Sequence, residues 1–258
     1  MKTRRRAPKG EPLGNDVPKW ACCRIQSALC AYYFLFGSFF PRAGNASLRH
    51  PLMTKSLPVR KGRPRTFNRE HALLQALEVF WKRGYEPASV AELCASMGIN
   101  PPSLYAAFGN KAKLFLEAVN HYEITFWDAT WELMDSEPDL RRAIDDFFNS
   151  SAAILTEPKA PCGCMVVLAA VNVSDDAREV TDALKALRQE GRDYIQQRLE
   201  RGVRDGQLPP DTNTRTLAIA LNTLLEGMSL QAHDGLSRQD LEGIAATAVT
   251  MLPAMPKP

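Results

Sequence analysis

The chain has 258 residues, of which 45% are hydrophobic and 24% charged, a composition that suits one large globular domain or two modest ones. Its formal net charge of +3 conceals an asymmetry, because residues 1–67 carry 14 basic and 2 acidic side chains, a net of +12, and the remainder has a net of −9. A basic leading segment on an acidic body indicates a polyanionic partner. The six cysteines lack the regular spacing of a disulfide framework, and the longest apolar run, residues 28–40, is too short to span a membrane. We therefore expect a cytoplasmic protein with no membrane partner.

The segment up to residue 66 is rich in Pro, Gly and Arg and shows no sustained helical or strand period. We expect residues 1–59 to form an unstructured extension. Met53 lies just before the first ordered pattern, and translation from it would keep the basic stretch KSLPVRKGRPR. One interpretation is that the natural start is Met53 and that the preceding residues are an error of gene annotation. The other is a genuine appendage that seeks a membrane.

A helical period begins after Phe67 and never gives way to strand alternation. In NREHALLQALEVFWKRGY, Asn68 is a candidate N-cap and Gly84 a candidate stop. The apolar residues expected on one face of this helix are Leu73, Leu74, Leu77, Phe80 and Trp81.

A second helix is predicted in SVAELCASMG. Ser89 and Glu92 stand three residues apart, which is the spacing of a capping box, and Gly98 ends the segment.

The third predicted helix begins with two consecutive prolines. Asn100 can cap it, and Pro101 and Pro102 suit its first turn, where a missing N–H has no partner to lose. Leu104 and Phe108 share its inward face at i, i+4. A tight glycine-containing turn between two such helices is typical of a helix-turn-helix.

Further amphipathic helices are expected beyond this point. Asn110 caps a long helix that runs to about Met134, and later breaks fall at residues 206–210 and 235–237. The remaining helical segments are expected within residues 139–157, 163–173, 175–206, 214–235 and 238–252. The predicted fold is all-α, with a three-helix helix-turn-helix domain at 60–120 and a larger helical domain at 121–253.

Residues 62–122 resemble the DNA-binding domain of the TetR (tetracycline-repressor) family. The pieces that carry the resemblance are ALEVFWKRGYEPASVAEL and MGINPPSLYAAFGNK, together with the spacing between them. The later GCMVV and DGQLP resemble the branch of that family with the ComR-like regulators. One departure is Ala112, where the family usually has an acidic residue; its absence leaves a more positive surface.

The resemblance implies that the second helix crosses the DNA backbone and the third enters the major groove of a double-stranded operator. It implies phosphate contacts from Ser89, Tyr105 and Lys111, which set orientation without carrying sequence information. The alternative for Tyr105 is a ring packed in the core with its hydroxyl in contact with water. The alternative for Lys111 is an ordinary solvent-exposed lysine. The positions expected to meet base edges are Asn100, Pro101, Pro102, Ser103 and Ala106.

A basic arm precedes the first helix. Arg60, Lys61, Arg63 and Arg65 surround a Gly and a Pro, and an extended arginine arm of this kind fits an A·T-rich minor groove. The alternative is a solubilising tail that adds only general affinity for DNA.

In the C-terminal region, aromatic and Met residues are candidates for lining an effector cavity, although helical spacing of this kind is more often simply core. These residues are Trp127, Trp131, Phe147, Phe148, Met165 and Met228. Cys162 and Cys164 stand one residue apart and suit a soft metal or a redox sensor, with buried free thiols as the simpler interpretation. No His completes a metal set, so we expect no metal and no cofactor.

The resemblance also implies a homodimer, formed by two long helices near the C-terminus. Apolar residues recur near helical spacing in residues 183–203 and 217–230. They are Leu184, Leu187, Ile195 and Leu199 in the first segment, and Leu217, Leu221, Leu224, Leu225 and Met228 in the second.

The sequence thus favours a dimeric transcriptional regulator, usually a repressor in this family, that leaves its operator when a small-molecule effector binds. The alternative is a helical adaptor without sequence-specific DNA binding, which would have no reason to combine the basic arm with Ser89, Tyr105 and Lys111. No phosphate loop, nucleophile elbow or metal motif supports an enzyme.

Overall fold

Residues 67–254 are described by the structure, a computed structural model, and over that range the chain is helical with no strand. A π-helical segment, Glu123–Trp127, joins α4 to α5, and a short 3-10 turn, Asp175–Ala177, leads into α8. The α-helices are α1 (Arg69–Arg83), α2 (Val90–Met97), α3 (Pro101–Phe108), α4 (Lys111–Tyr122), α5 (Asp128–Ser136), α6 (Leu140–Leu155), α7 (Met165–Leu168), α8 (Arg178–Arg204), α9 (Thr214–His233) and α10 (Arg238–Thr250). The all-α prediction is confirmed. The Met53 start and the extension at 1–59 lie outside the described residues.

Side-chain caps determine where the helices of the N-terminal bundle begin. Asn68, Ser89, Asn100 and Asn110 each accept a hydrogen bond from the backbone N–H three residues later, as the sequence predicted. The capping box at Ser89 is only half formed, because the Glu92 carboxylate pairs with Arg83 Nε at 3.0 Å. These caps satisfy amide groups that no turn within the helix can satisfy.

The inward face of α1 packs against α2 and α4. Phe80 is fully buried, and its ring meets Phe115 of α4 edge-on at 5.0 Å between centroids. The prediction that Leu74 shares this face is wrong, since its side chain is 41% exposed. Leu74 lies about 100° around the helix from Leu73, on the stripe that also carries the exposed Glu78 and Lys82.

Arg69 at the start of α1 connects three helices. Both of its terminal nitrogens contact the Glu117 carboxylate of α4, with Nη2–Oε2 at 2.7 Å. Nη2 also donates to the carbonyl of Ala107 at 3.4 Å, and the guanidinium lies 4.4 Å from the Phe108 ring centroid. A planar, charged group with several donors is suited to such a junction, and it fixes the end of α3 against α1 and α4.

The helix predicted from Asn110 to about Met134 is interrupted. The chain remains helical from Lys111 to Ser136 but widens to a π-helix over Glu123–Trp127, where the N–H of Asp128 donates to the carbonyl of Glu123. A π-turn inserts an extra residue without breaking the helix, so a periodicity of 3.6 does not reveal it.

In the C-terminal region α6 packs against α10, α8 packs against α9, and α8 also reaches α4. The helix expected in residues 163–173 is reduced to the four-residue α7, and the following residues form turns. The apolar stretch there is accounted for by burial of Met165, Val166, Ala169 and Ala170 in a compact segment. Within the described residues, no helix is both long and apolar enough to cross a membrane.

Arg198 of α8 is a buried charge that closes the end of α5. Nε donates to the carbonyl of Met134 at 3.1 Å, and Nη2 donates to those of Glu137 and Pro138 at 2.9 and 3.3 Å. Burial lowers its pKa, and Nη1 is the one buried side-chain nitrogen or oxygen in the described part of the chain without a hydrogen-bond partner. The guanidinium therefore supplies hydrogen-bond donors to the carbonyl groups at the end of α5, which have no partner within the helix.

We predict that Arg198→Ala lowers the free energy of unfolding by about 3 kcal/mol, because it removes a donor from the carbonyls of Met134, Glu137 and Pro138 and opens a void. The carbonyls of Glu137 and Pro138 keep their second donors, Arg201 and Gln207. Urea denaturation followed by circular dichroism measures the change. Arg204→Ala, at an exposed position at the end of the same helix, serves as the control and should cost less than about 0.5 kcal/mol. Equal effects of the two substitutions would show that Arg198 has no such structural role.

Candidate nucleic-acid interface and internal cavity

The outer face of α3 is open to solvent. Leu104 and Phe108 are buried, while Asn100, Pro101, Pro102, Tyr105 and Ala106 are exposed. Ser103 is half-buried, and its N–H donates to Asn100 Oδ1 at 2.9 Å. The predicted base-reading positions thus lie together on one exposed helix face, apart from the partial cover over Ser103.

The turn before α3 is built around Gly98. This residue ends α2 with φ at +65°, and its N–H donates to the carbonyls of Ala95 and Cys94. A left-handed conformation strains any residue with a Cβ, so glycine sets the angle at which α3 leaves α2.

Three side chains were expected to contact phosphates. Ser89 is exposed at the N-cap of α2, and Tyr105 is 49% exposed, which excludes the core alternative for its ring. Lys111 is held more firmly than expected, because Nζ donates to the carbonyl of Glu86 at 3.2 Å and lies 4.4 Å from the Tyr85 ring centroid. Burial lowers the pKa of Lys111, with the charge of Glu86 acting in the opposite direction. The arm residues Arg60, Lys61, Arg63 and Arg65 lie outside the described residues.

A cavity of about 60 Å³ lies between the π-segment and helices α5 to α9. That is room for several water molecules. Trp127 and Trp131 line it as the sequence suggested. The other candidates are buried in the core and do not line it: Phe147, Phe148, Met165 and Met228. Polar groups in its wall come from Glu123, Arg188, Asn222 and Glu226.

The polar groups of the cavity differ in their hydrogen-bond and ion-pair partners. Arg188 Nη1 donates to the carbonyl of Val166 at 2.8 Å. Glu226 accepts from Asn222 Nδ2 at 2.9 Å and lies 3.9 Å from Arg192. Glu123 is half-buried in the same wall. Its pKa is raised to about 8, first by burial and then by repulsion from Asp128 and Glu190.

The two cysteines of the Cys-Gly-Cys segment have different surroundings. Cys162 is exposed, whereas Cys164 is buried beside the cavity with its N–H donating to Ser229 Oγ at 2.8 Å. Burial and the nearby Glu123 raise the pKa of the Cys164 thiol to about 12, so it is a poor nucleophile at neutral pH. In the part of the chain that is described, no group of three or more His, Cys, Asp or Glu is placed to hold a metal ion. These facts favour buried-thiol packing over redox sensing for Cys164.

One segment of the cavity wall is bonded directly to α1. Trp81 Nε1 donates to the carbonyl of Gly163 at 2.9 Å, and the N–H of Tyr85 donates to that of Ala169 at 2.6 Å. Gly84 lies so close that an added Cβ would be 3.0 Å from the Ala169 oxygen. The segment 163–169 therefore contacts both the cavity and the helix on which the N-terminal bundle is built.

Sequence reasoning missed Glu123, Arg188 and Asn222 as cavity residues. Charged and amide side chains on amphipathic helices normally face solvent, so their type carried no signal. An indirect signal existed for Glu123, which lies four residues before Trp127, itself a candidate for the cavity.

The chain matches two profiles of known protein families. Residues 72–118 match the profile described as bacterial regulatory proteins, tetR family. Residues 136–242 match the profile described as tetracyclin repressor-like, C-terminal domain.

Individual relatives agree with these profiles. The chain is 32% identical to the HTH-type transcriptional repressor ComR of Escherichia coli (strain K12), over 79% of this chain and 98% of ComR. It is 29% identical to the HTH-type transcriptional repressor BdcR of the same organism, over 76% of this chain and 95% of BdcR.

Among solved structures, the chain is similar to a cysteine mutant of the TetR family transcriptional regulator CifR complexed with 26-base-pair double-strand operator DNA. The identity is 41% and the TM-score 0.72, with 74% of this chain and all of the CifR chain covered. The profiles, the ComR match along nearly its whole length and the shared fold lead to one conclusion: this chain belongs to the TetR family of bacterial regulatory proteins.

Proposed function

We propose that the protein is a transcriptional repressor that binds a palindromic DNA operator as a homodimer and is released by a small-molecule effector. The observation that carries the proposal is the exposed face of α3, which presents Asn100, Pro101, Pro102, Tyr105 and Ala106 from a capped, proline-stiffened helix. ComR and BdcR are named as transcriptional repressors, and CifR was solved with operator DNA, which supports the same activity here. The site of action would be the cytoplasm, where bacterial DNA is found.

The adaptor alternative is less well supported by the structure. An adaptor surface is expected to expose large apolar side chains for its partner, but the outer face of α3 offers prolines, an alanine and one tyrosine with its hydroxyl. Alanine and proline suit contact with thymine methyl groups, and hydroxyls suit phosphates. We also propose that the chain is not an enzyme, since its cavity presents a fully buried thiol with a raised pKa and no paired nucleophile and base.

The proposed geometry assigns separate tasks to the two helices of the motif. In it, α2 crosses the phosphate backbone with Ser89 at its N-terminus, and α3 enters the major groove. Tyr105 and Lys111 contact phosphates on either side of the groove. Lys111 would turn from the carbonyl of Glu86 to the phosphate or keep both contacts, since an ammonium has three donors.

We predict that Tyr105→Phe and Lys111→Ala each weaken binding to operator and to unrelated DNA by similar factors, because phosphate contacts carry no sequence information. Lys111→Ala should also lower the slope of log affinity against log salt by about one unit. Fluorescence anisotropy with labelled duplexes from upstream of the gene measures both. Lys185→Ala, an exposed lysine on α8, is the matched control and should leave affinity and slope unchanged. An unchanged salt slope for Lys111→Ala would contradict the phosphate role.

The proposed dimer face needs a revision from the one the sequence suggested. Six of the nine residues predicted for it are buried within the chain's own core: Leu184, Ile195, Leu199, Leu221, Leu225 and Met228. The other three, Leu187, Leu217 and Leu224, are half-buried. Apolar residues that do face outward on α9 are Ile219, 47% exposed, and Leu230, 48% exposed. Thr223 and Gly227 lie between them near helical spacing, and small side chains at such positions allow another helix to approach closely. This outer face of α9 is therefore the proposed contact, with α8 alongside it.

Gly227 provides a test that leaves the chain's own packing intact. A Cβ added at Gly227 meets nothing within 4 Å, and the same is true of Gly243 on α10. Gly227→Arg should convert a dimer into a monomer, because it places a long charged side chain in a close helix–helix contact. Gly243→Arg is the control and should remain dimeric. Sedimentation velocity at micromolar concentration measures both, and a dimeric Gly227→Arg protein or a monomeric wild type would contradict the proposed face.

A further inference from the structure

The side chain of Asn100 divides its two polar atoms between two environments. Its Oδ1 accepts a hydrogen bond from the N–H of Ser103 at 2.9 Å, which is the bond that caps α3. A backbone N–H needs an acceptor, so the carbonyl oxygen of the amide, and not its nitrogen, must be the atom that faces Ser103. The side chain is exposed, so the two N–H groups of Nδ2 are available to a partner outside the helix.

The prolines that follow commit Oδ1 to the cap. Pro101 and Pro102 occupy the first two positions of α3 and have no N–H. The N–H of Ser103 is therefore the first amide of the helix that the cap can satisfy. Because the prolines offer no amide donors, the first turn of α3 presents only two kinds of group to DNA, the Nδ2 donors of Asn100 and the apolar proline rings.

The backbone at Asn100 is held from both sides. Before it, Gly98 makes the left-handed turn and the N–H of Ile99 donates to the carbonyl of Cys94 at 3.0 Å. After it, the N–H of Leu104 donates to the carbonyl of Asn100 at 3.1 Å, and the Leu104 side chain is fully buried. Nδ2 is thus carried on a fixed backbone, and such a donor loses little conformational freedom when it meets a partner.

A group that only donates distinguishes the four base edges of the major groove. Guanine presents two adjacent acceptors, O6 and N7, whereas cytosine presents a donor and thymine one acceptor beside a methyl group. Adenine presents an acceptor beside a donor, and an asparagine that reads it uses its oxygen and its nitrogen together. The oxygen of Asn100 is already bonded to Ser103, so guanine is the edge that matches what Asn100 offers.

We propose that Asn100 caps α3 and at the same time reads a guanine in each half of the operator, with Nδ2 donating to O6 and N7. The inference rests on the proposed function in taking α3 as the helix that enters the major groove, where the first residues of such a helix meet base edges. It makes the cap a determinant of specificity, because the cap decides which atom of Asn100 faces the DNA.

Two substitutions keep the cap and change the group that faces the DNA. Asp and Ser cap helices about as well as Asn, so Asn100→Asp and Asn100→Ser should retain the wild-type circular dichroism spectrum. Asn100→Asp replaces the donors with an acceptor suited to the N4 amino group of cytosine, and Asn100→Ser removes the amide. Asn110→Asp is the matched control, because Asn110 is also exposed and caps α4 through Oδ1, which accepts from the N–H of Lys113 at 2.7 Å.

Selection of duplexes from a random pool by each full-length protein measures the base preference. Wild type and Asn110→Asp should enrich the same palindrome, with guanine at one symmetric pair of positions. At those positions Asn100→Ser should show no preference, and Asn100→Asp should enrich cytosine instead. The same enriched sequence for wild type and both Asn100 variants, or adenine at the positions that they alter, would overturn this inference alone. A wild-type protein that enriches no sequence would overturn the proposed function as well.

A change of one atom in the DNA tests the contact directly. Replacing that guanine with 7-deazaguanine removes the N7 acceptor and should weaken wild-type binding about fivefold or more, as measured by fluorescence anisotropy. Asn100→Ser should bind the two duplexes equally, since it has no amide to lose the contact. The same replacement at a guanine outside the palindrome is the control and should change nothing. An equal loss in wild type and Asn100→Ser would show that another residue reads this guanine, and the assignment to Asn100 would be wrong.

Discussion

The hydrogen bonds from Trp81 and Tyr85 to the carbonyls of Gly163 and Ala169 are the connection on which the account depends. They attach the end of α1, and Tyr85 just after it, to the segment that forms part of the cavity wall. At its other end α1 is fixed to α3 and α4 through Arg69. One helix thus touches both the cavity wall and the end of α3, the helix proposed to enter the major groove. A ligand that displaces residues 163–169 would shift α1, and through α1 and Arg69 it would shift α3.

The chemistry of the two proposed sites is opposite, and this fits their separate tasks. The exposed groups of α3 are two prolines, an alanine and the Tyr105 ring, none of them charged, so the proposed fit to a groove depends on shape and on the tyrosine hydroxyl. In the cavity, carboxyl groups and indole rings are enclosed where the dielectric constant is low and each charge has a large effect.

Much of the fold was predictable because it is encoded locally. The caps at Asn68, Ser89, Asn100 and Asn110, the prolines at the start of α3 and the stop at Gly98 act within a few residues of chain, and each is found where the sequence placed it. The DNA-facing positions followed from the same local signals together with the family resemblance. What the sequence did not reveal depends on distant contacts. Arg198 faces carbonyls about sixty residues away, Glu123 faces a cavity built from five other helices, and the π-turn leaves no trace in the periodicity. Which residues of α9 face solvent likewise depends on how α8 and α9 pack.

The most direct test of the central claim is a hydroxyl-radical footprint of the wild-type protein on the DNA upstream of its gene. A dimer that reads one major groove with each α3 should protect two patches on a palindrome, with centres about 34 Å apart, or about ten base pairs. The protection should be symmetric about the centre of the palindrome. No protected region, or a single patch without a symmetric partner at any protein concentration, would contradict the account.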